Sequence, residues 1–190
     1  LSTSPQHATT SSRVLYLPLS PPHHYCLIVS VVVWDPRNTS EPVGTLAGHN
    51  GVVSGVHMAD NNHLLSSSYD GTVRLWDLSS LRCLGVAESQ RGNALTSVVP
   101  MGVSAFITTS VDGSLGLIGW EKSDEETMMM KGTTLHTFRA HSQALFGVGY
   151  NGKERLCSFG QESEWRMWFI TRDRHPISLK DELLWNKRQE

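Results

Sequence analysis

His49, Ser66 and Asp70 are the residue types from which a nucleophilic site is built: a hydroxyl, an imidazole to deprotonate it and a carboxylate to orient the imidazole. His141-Ser142 offers the same pairing further along the chain. His23-His24-Tyr25-Cys26 gathers metal-ligating types but has no second ligand pair at a usable spacing, so neither a metal nor any other cofactor is expected. No glycine-rich loop suited to cradling phosphate is present. A formal charge of −2 with no basic cluster argues against direct nucleic-acid binding. The cysteines Cys26, Cys83 and Cys157 are odd in number and scattered, which fits reduced thiols in the cytoplasm or nucleus rather than a disulfide framework. The longest apolar run, Cys26 to Trp34, falls well short of the roughly 18–20 residues that span a bilayer, and no membrane association is expected. The Asn38-Thr39-Ser40 sequon carries little weight without a secretory signal. An apolar content of 39% with 18% charged residues is that of a globular chain.

The elements that must position these side chains come from an internal repeat. Leu64 to Asp77 superposes on the later segment Phe106 to Ile118, sharing a small-polar triplet, an Asp-Gly turn and apolar alternation. Trp34-Asp35 precedes Trp76-Asp77 by the same offset. A further copy lies downstream, where Ser158 to Trp168 aligns without gaps on Ser66 to Trp76. The opening of the repeat obeys the offset of that copy too: Gly48-His49 with Val52-Val53 matches Ala140-His141 with Ala144-Leu145. Within a unit, short apolar strands alternate with turns, and Asp70-Gly71 makes a tight hairpin because Gly supplies positive φ. Four short strands per unit with no helical period give an all-β fold.

On Gly48-His49, Ser66 to Asp70-Gly71 and Trp76-Asp77 the sequence resembles the WD-repeat family, over about residues 30 to 170. The resemblance implies a β-propeller, four-stranded antiparallel blades stacked radially about a channel: here about three blades plus one strand near Val31 to Asp35. It also implies a buried tetrad of His49, Ser66, Asp70 and Trp76, which would tie up the polar groups that otherwise invite a nucleophile reading. Other copies keep partial tetrads. The third blade has Thr108 and Asp112 but Arg91 and Ile118 for the His and Trp, with Trp120 placed just past its strand. The fourth has His141, Ser158 and Trp168, with Glu162 for the Asp.

Residues 1–25, rich in Ser, Thr, Pro and His, read as a disordered or truncated leader, 26–172 as the blades and 173–190 as a helical tail, with Ser178 capping a short C-terminal helix. Glu121 to Gly132 reads as an inserted loop. Three blades and a strand leave apolar faces open, so the ring is expected to be completed by further sequence or by a second chain. The function expected is a non-catalytic scaffold that binds other proteins through rim and channel residues: Asn50, Gly51, Tyr69, Arg74, Gln143 and Gln161. Two alternatives stand beside it. Trp34-Asp35-Pro36-Arg37 fits the Trp-Asp-x-Arg with which WD proteins dock on a cullin-ligase adaptor, making Arg37 a candidate contact of a substrate receptor. A propeller enzyme would instead need titratable residues converging in the channel.

Overall fold

A computed structural model describes residues 13–14, 29–38, 40–89, 92–102, 104–122, 129–171 and 178–185. Among them are fifteen strands and no helix. A first sheet holds β1 (Arg13–Val14), β2 (Ser30–Trp34) and β3 (Gly44–Ala47) in that order. The second blade holds β4 (Val53–Met58), β5 (His63–Ser68), β6 (Thr72–Asp77) and β7 (Arg82–Glu88). The third holds β8 (Leu95–Pro100), β9 (Ala105–Ser110), β10 (Ser114–Lys122) and β11 (Met130–Arg139). The fourth holds β12 (Leu145–Tyr150), β13 (Arg155–Gly160), β14 (Trp165–Thr171) and β15 (Ser178–Trp185). Neighbours within each blade pair antiparallel, in chain order. Parallel pairing of Met130 with Gly85 and Lys131 with Val86 joins the outer strands of the second and third blades.

The repeat extends to backbone irregularities. Each inner strand carries one extra residue opposite its neighbour, at Ser54, Thr96 and Phe146, always one position after the strand enters its blade pairing. The hairpin joining the second and third strands of each blade turns through a left-handed residue: Gly71 and Gly113, both at φ 82°, and Ser163 at φ 59°. The same bond closes all three turns, from the amides of Gly71, Gly113 and Ser163 to the carbonyls of Ser68, Ser110 and Gly160.

The core is three interlayers. Val31, Val33 and Leu46 of the first sheet meet Val53, Leu64 and Trp76. Leu65, Val73 and Leu75 meet Leu95, Val98, Phe106 and Ile118. Ile107, Leu115 and Leu117 meet Leu145, Leu156 and Trp168. Full burial of each such side chain contributes about 1.5–3 kcal/mol, so the stack is held together by its interfaces.

Three expectations are corrected. The segment read as a C-terminal helix is strand β15, paired with β14 from Trp165↔Trp185 to Thr171↔Ser178. Without it β14 would present an unpaired ladder, and satisfying that ladder outweighs local helix propensity. The single strand expected before the second blade is a three-stranded sheet; in β3 only Leu46 turns inward between exposed Thr45 and Ala47, too short a signal to read alone. Trp120 lies within β10 rather than past it, its ring 4.9 Å from that of Phe106. Of the expected leader 1–25 only Arg13–Val14 are described, and they form β1; Arg91 and His23 to Cys26 lie outside the described residues.

Candidate functional site

In the second blade His49 lies just after β3, Ser66 on β5, Asp70 in the β5–β6 turn and Trp76 on β6. The fold brings all four together. His49 Nδ1 is 3.0 Å from Asp70 Oδ2, His49 Nε2 is 2.7 Å from Ser66 Oγ, and the Trp76 indole N–H donates to Ser66 Oγ at 2.8 Å. One proton arrangement satisfies every group. Nδ1–H donates to the carboxylate, the Ser66 hydroxyl donates to Nε2, and the indole donates to the hydroxyl oxygen. Asp70 further accepts the amides of Asn50 (2.8 Å) and Thr72 (2.9 Å) and the Thr72 hydroxyl (2.7 Å). Burial pushes the Asp70 carboxyl upward, but the donors of Thr72, Asn50 and His49 outweigh it and hold the group at about 2. Burial lowers the His49 pKa against the pull of Asp70, keeping the imidazole neutral. Ser66 is fully buried with both hydrogen-bonding roles used, so its oxygen is closed to any substrate.

The fourth blade repeats this incompletely. Ser158 Oγ lies 3.0 Å from His141 Nε2 and accepts the Trp168 indole N–H at 2.9 Å. Glu162, one methylene longer than Asp, reaches out to the Ser142 hydroxyl, leaving its other oxygen 3.5 Å from a His141 Nδ1 that makes no hydrogen bond. Burial, then the charge of Arg166, lowers the His141 pKa. In the third blade Asn93, just beyond the expected histidine position, donates its amide to Asp112 at 2.7 Å. Thr108 makes only a long contact, 3.5 Å, to the Gly116 carbonyl. A cavity of about 20 Å³ opens among Thr108, Ser110, Gly116 and Ile118, where the second blade carries Ser66, Ser68, Arg74 and Trp76.

The remaining candidates occupy three places. Tyr69, at 52% exposure, and Gln161 stand at the same point of their blades, where the amide of each bonds the chain entering the inner strand: Tyr69 to Val52, Gln161 to Ala144. Val111, likewise exposed and bonded to Ala94, is their third-blade counterpart, missed because a single valine in a turn carries no pattern. Asn50 and Gln143 are exposed at the adjoining connections, with Gly51 half-buried beside them. Arg74 departs from the group: its guanidinium lies 6.0 Å from the Trp76 ring and its Nε is buried without a partner, so it covers the tetrad. Arg37 stands apart after β2, its side chain 73% exposed and paired with Asp35 at 2.7 Å. At the opposite ends of the inner strands, His57, Met101, Tyr150 and Lys153 border an open cleft of about 630 Å³. Among the described residues no His/Cys/Asp/Glu group is placed to hold a metal.

Residues 40–77, the outer strand of the first sheet and three strands of the second blade, match the family described as WD domain, G-beta repeat. The chain carries a WD repeat. It is 30% identical over 102 residues to the nuclear distribution protein nudF of Aspergillus niger, covering 53% of this chain and 23% of that one. It is 28% identical over 149 residues to a ribosome biogenesis protein WDR12 homolog of Culex quinquefasciatus, covering 75% of this chain and 32% of that protein. A DDB1- and CUL4-associated factor 11 homolog of Caenorhabditis briggsae matches at 42% over 66 residues, 32% of this chain and 12% of its own length. The chain thus spans about a third or less of the length of these relatives.

Proposed function

We propose that this WD-repeat protein is a non-catalytic scaffold of the cytoplasm or nucleus that holds a partner protein on the rim where Tyr69, Val111 and Gln161 emerge. The supporting observation is that three stacked blades present the same rim position by the same backbone bond, with an aromatic, an aliphatic and an amide side chain in succession. A rigid frame with different side chains at equivalent points suits recognition of one extended surface. The most reactive-looking residues, His49, Ser66 and Asp70, are consumed in the tetrad, whose role in this reading is to fix the blade. The test is quantitative affinity purification of the wild-type chain against a Tyr69→Ala/Val111→Ser variant with an unchanged melting curve. Selective loss of specific partners is expected; an identical partner set sinks the rim reading.

A second reading rests on Arg37. Its guanidinium is displayed to solvent by Asp35, which accepts from its backbone amide (2.9 Å) and Nε (3.0 Å). That geometry, with the likeness to the factor-11 homolog, supports docking on a cullin-ligase adaptor. Arg37→Ala is expected to abolish adaptor co-purification while leaving rim partners bound; unchanged recovery, or no adaptor at all, removes it.

A further inference from the structure

The third blade is packed between the second and the fourth, yet its interior is less filled than theirs. Where they carry Ser66 and Ser158, Arg74 and Arg166, and Trp76 and Trp168, the third carries Thr108, Gly116 and Ile118. Exchanging a guanidinium for a hydrogen atom and an indole for a butyl group leaves the cavity described above. Gly116 is buried within β10, and its φ lies outside the left-handed region, so no turn demands a glycine here. A Cβ at Gly116 would stand 2.8 Å from Thr108 Oγ1 and 3.7 Å from Thr137 Oγ1, and apart from its chain neighbours no other atom comes within 4 Å. A strand glycine of ordinary φ marks a place where something approaches the backbone closely. Here two hydroxyl oxygens flank that place.

We propose that one ordered water occupies this cavity and serves the third blade as the imidazole and indole serve the second. Size and chemistry both select that occupant. The cavity measures about 20 Å³, and a single water needs roughly 10–15 Å³. Its wall carries the side chains of Thr108, Ser110, Thr134 and Thr137 beside the apolar Leu95 and Ile118, whereas cavities that stay dry are apolar throughout. The Thr108 hydroxyl is the group most in need of a partner. Thr108 is 4% exposed, and its oxygen reaches the Gly116 carbonyl only at 3.5 Å. Ser66, its second-blade counterpart, bonds His49 at 2.7 Å and Trp76 at 2.8 Å. Ser110 donates to the Ala94 carbonyl at 3.0 Å and retains lone pairs that can accept. A water that accepts the Thr108 proton and donates to the neighbouring hydroxyl oxygens satisfies all of them at once, within the two to four partners usual for a buried water. The third blade thereby keeps a hydrogen-bonded interior without the aromatic bulk. This site lies inside the blade and does not rest on the partner-binding reading of the rim.

The experiment is a crystal structure of the purified full chain at a resolution that shows ordered water, joined to thermal melts of Thr108→Val. A solvent peak is expected in the cavity, roughly 2.6–3.0 Å from at least two of the hydroxyl oxygens, Thr108 Oγ1 among them. Thr108→Val keeps the side-chain shape and removes the hydroxyl. Beside a bonded water the change strands one of its partners, so the melting temperature is expected to fall. Over a dry void the same change removes an unsatisfied buried group, and the melting temperature rises. An empty cavity in the wild-type map overturns the proposal whether or not the variant folds. So does a melting temperature equal to or above that of the wild type. A peak ringed by six or more oxygens at about 2.4 Å also overturns it, because that geometry describes a metal cation.

Discussion

In the second blade Asp70 is held by an imidazole that is itself tied to Ser66, which also accepts from Trp76; in the third, Asp112 accepts from the shorter amide of Asn93, and Thr108, in the place of Ser66, reaches the Gly116 carbonyl at 3.5 Å. Both blades have the same strand order, the same bulges and the same glycine turn. The backbone repeat is therefore maintained by interblade apolar packing and turn closure, while the polar network is added where the side chains allow it. The second blade has its interior filled by ring and guanidinium; the third keeps hydroxyls around a small void.

The largest effect is expected on breaking the network at its centre. His49→Ala leaves the Ser66 hydroxyl proton without its acceptor, takes one of several donors from Asp70 and opens a ring-sized hole, destabilising the protein by about 3–4 kcal/mol in urea unfolding. A loss below about 1 kcal/mol would mean that the tetrad is not what holds the second blade. Gly113→Ala comes next, at about 2–3 kcal/mol, because an added methyl meets the backbone carbonyls of His141 and Gln143 and the residue sits at φ 82°. Gly113 also accepts the amides of Ala140 and His141, so the damage should appear between the third and fourth blades in hydrogen exchange.

Acid provides an intermediate test. His49 and His141 have pKa values lowered by burial, so the unfolded chain binds protons that the folded chain refuses. Their contribution is complete above the unfolded value of about 6.5 and lost as pH falls below it. Asp70, held at about 2, contributes above its ordinary 3.8 and loses that contribution as pH falls toward 2. Stability should decline from pH 7 to pH 5, less steeply in His49→Gln; equal slopes would remove His49 from the account. Asn93→Ala, the third-blade counterpart of the His49 change, is expected to cost only about 1 kcal/mol, since one hydrogen bond is lost at a half-buried site. The smallest effect is a gain: Ser163→Gly relieves a left-handed serine at φ 59° and should raise stability by about 0.5–1 kcal/mol.

The blade boundaries, the second-blade quartet and the hairpin turns were legible because each is written locally and repeated at a fixed offset. Asn93 was not, since it reaches its aspartate from beyond the aligned position. The ending Ser178–Trp185 was not either: its acidic start and grouped leucines favour a helix in isolation, and only the open ladder of β14 makes a strand of it. Equivalent rim residues such as Tyr69 and Val111 share no chemistry, so only their common backbone bond reveals them as a set.

The short parallel bridge between β7 and β11 has one further consequence. It ties the outermost strands of two blades together at two residue pairs, which covers that stretch of each strand's perimeter. Gly85 permits the approach, for a methyl there would strike the Met130 backbone. A substitution such as Gly85→Val would pry those edges apart and expose unpaired strand to other molecules, which raises the tendency to edge-to-edge aggregation.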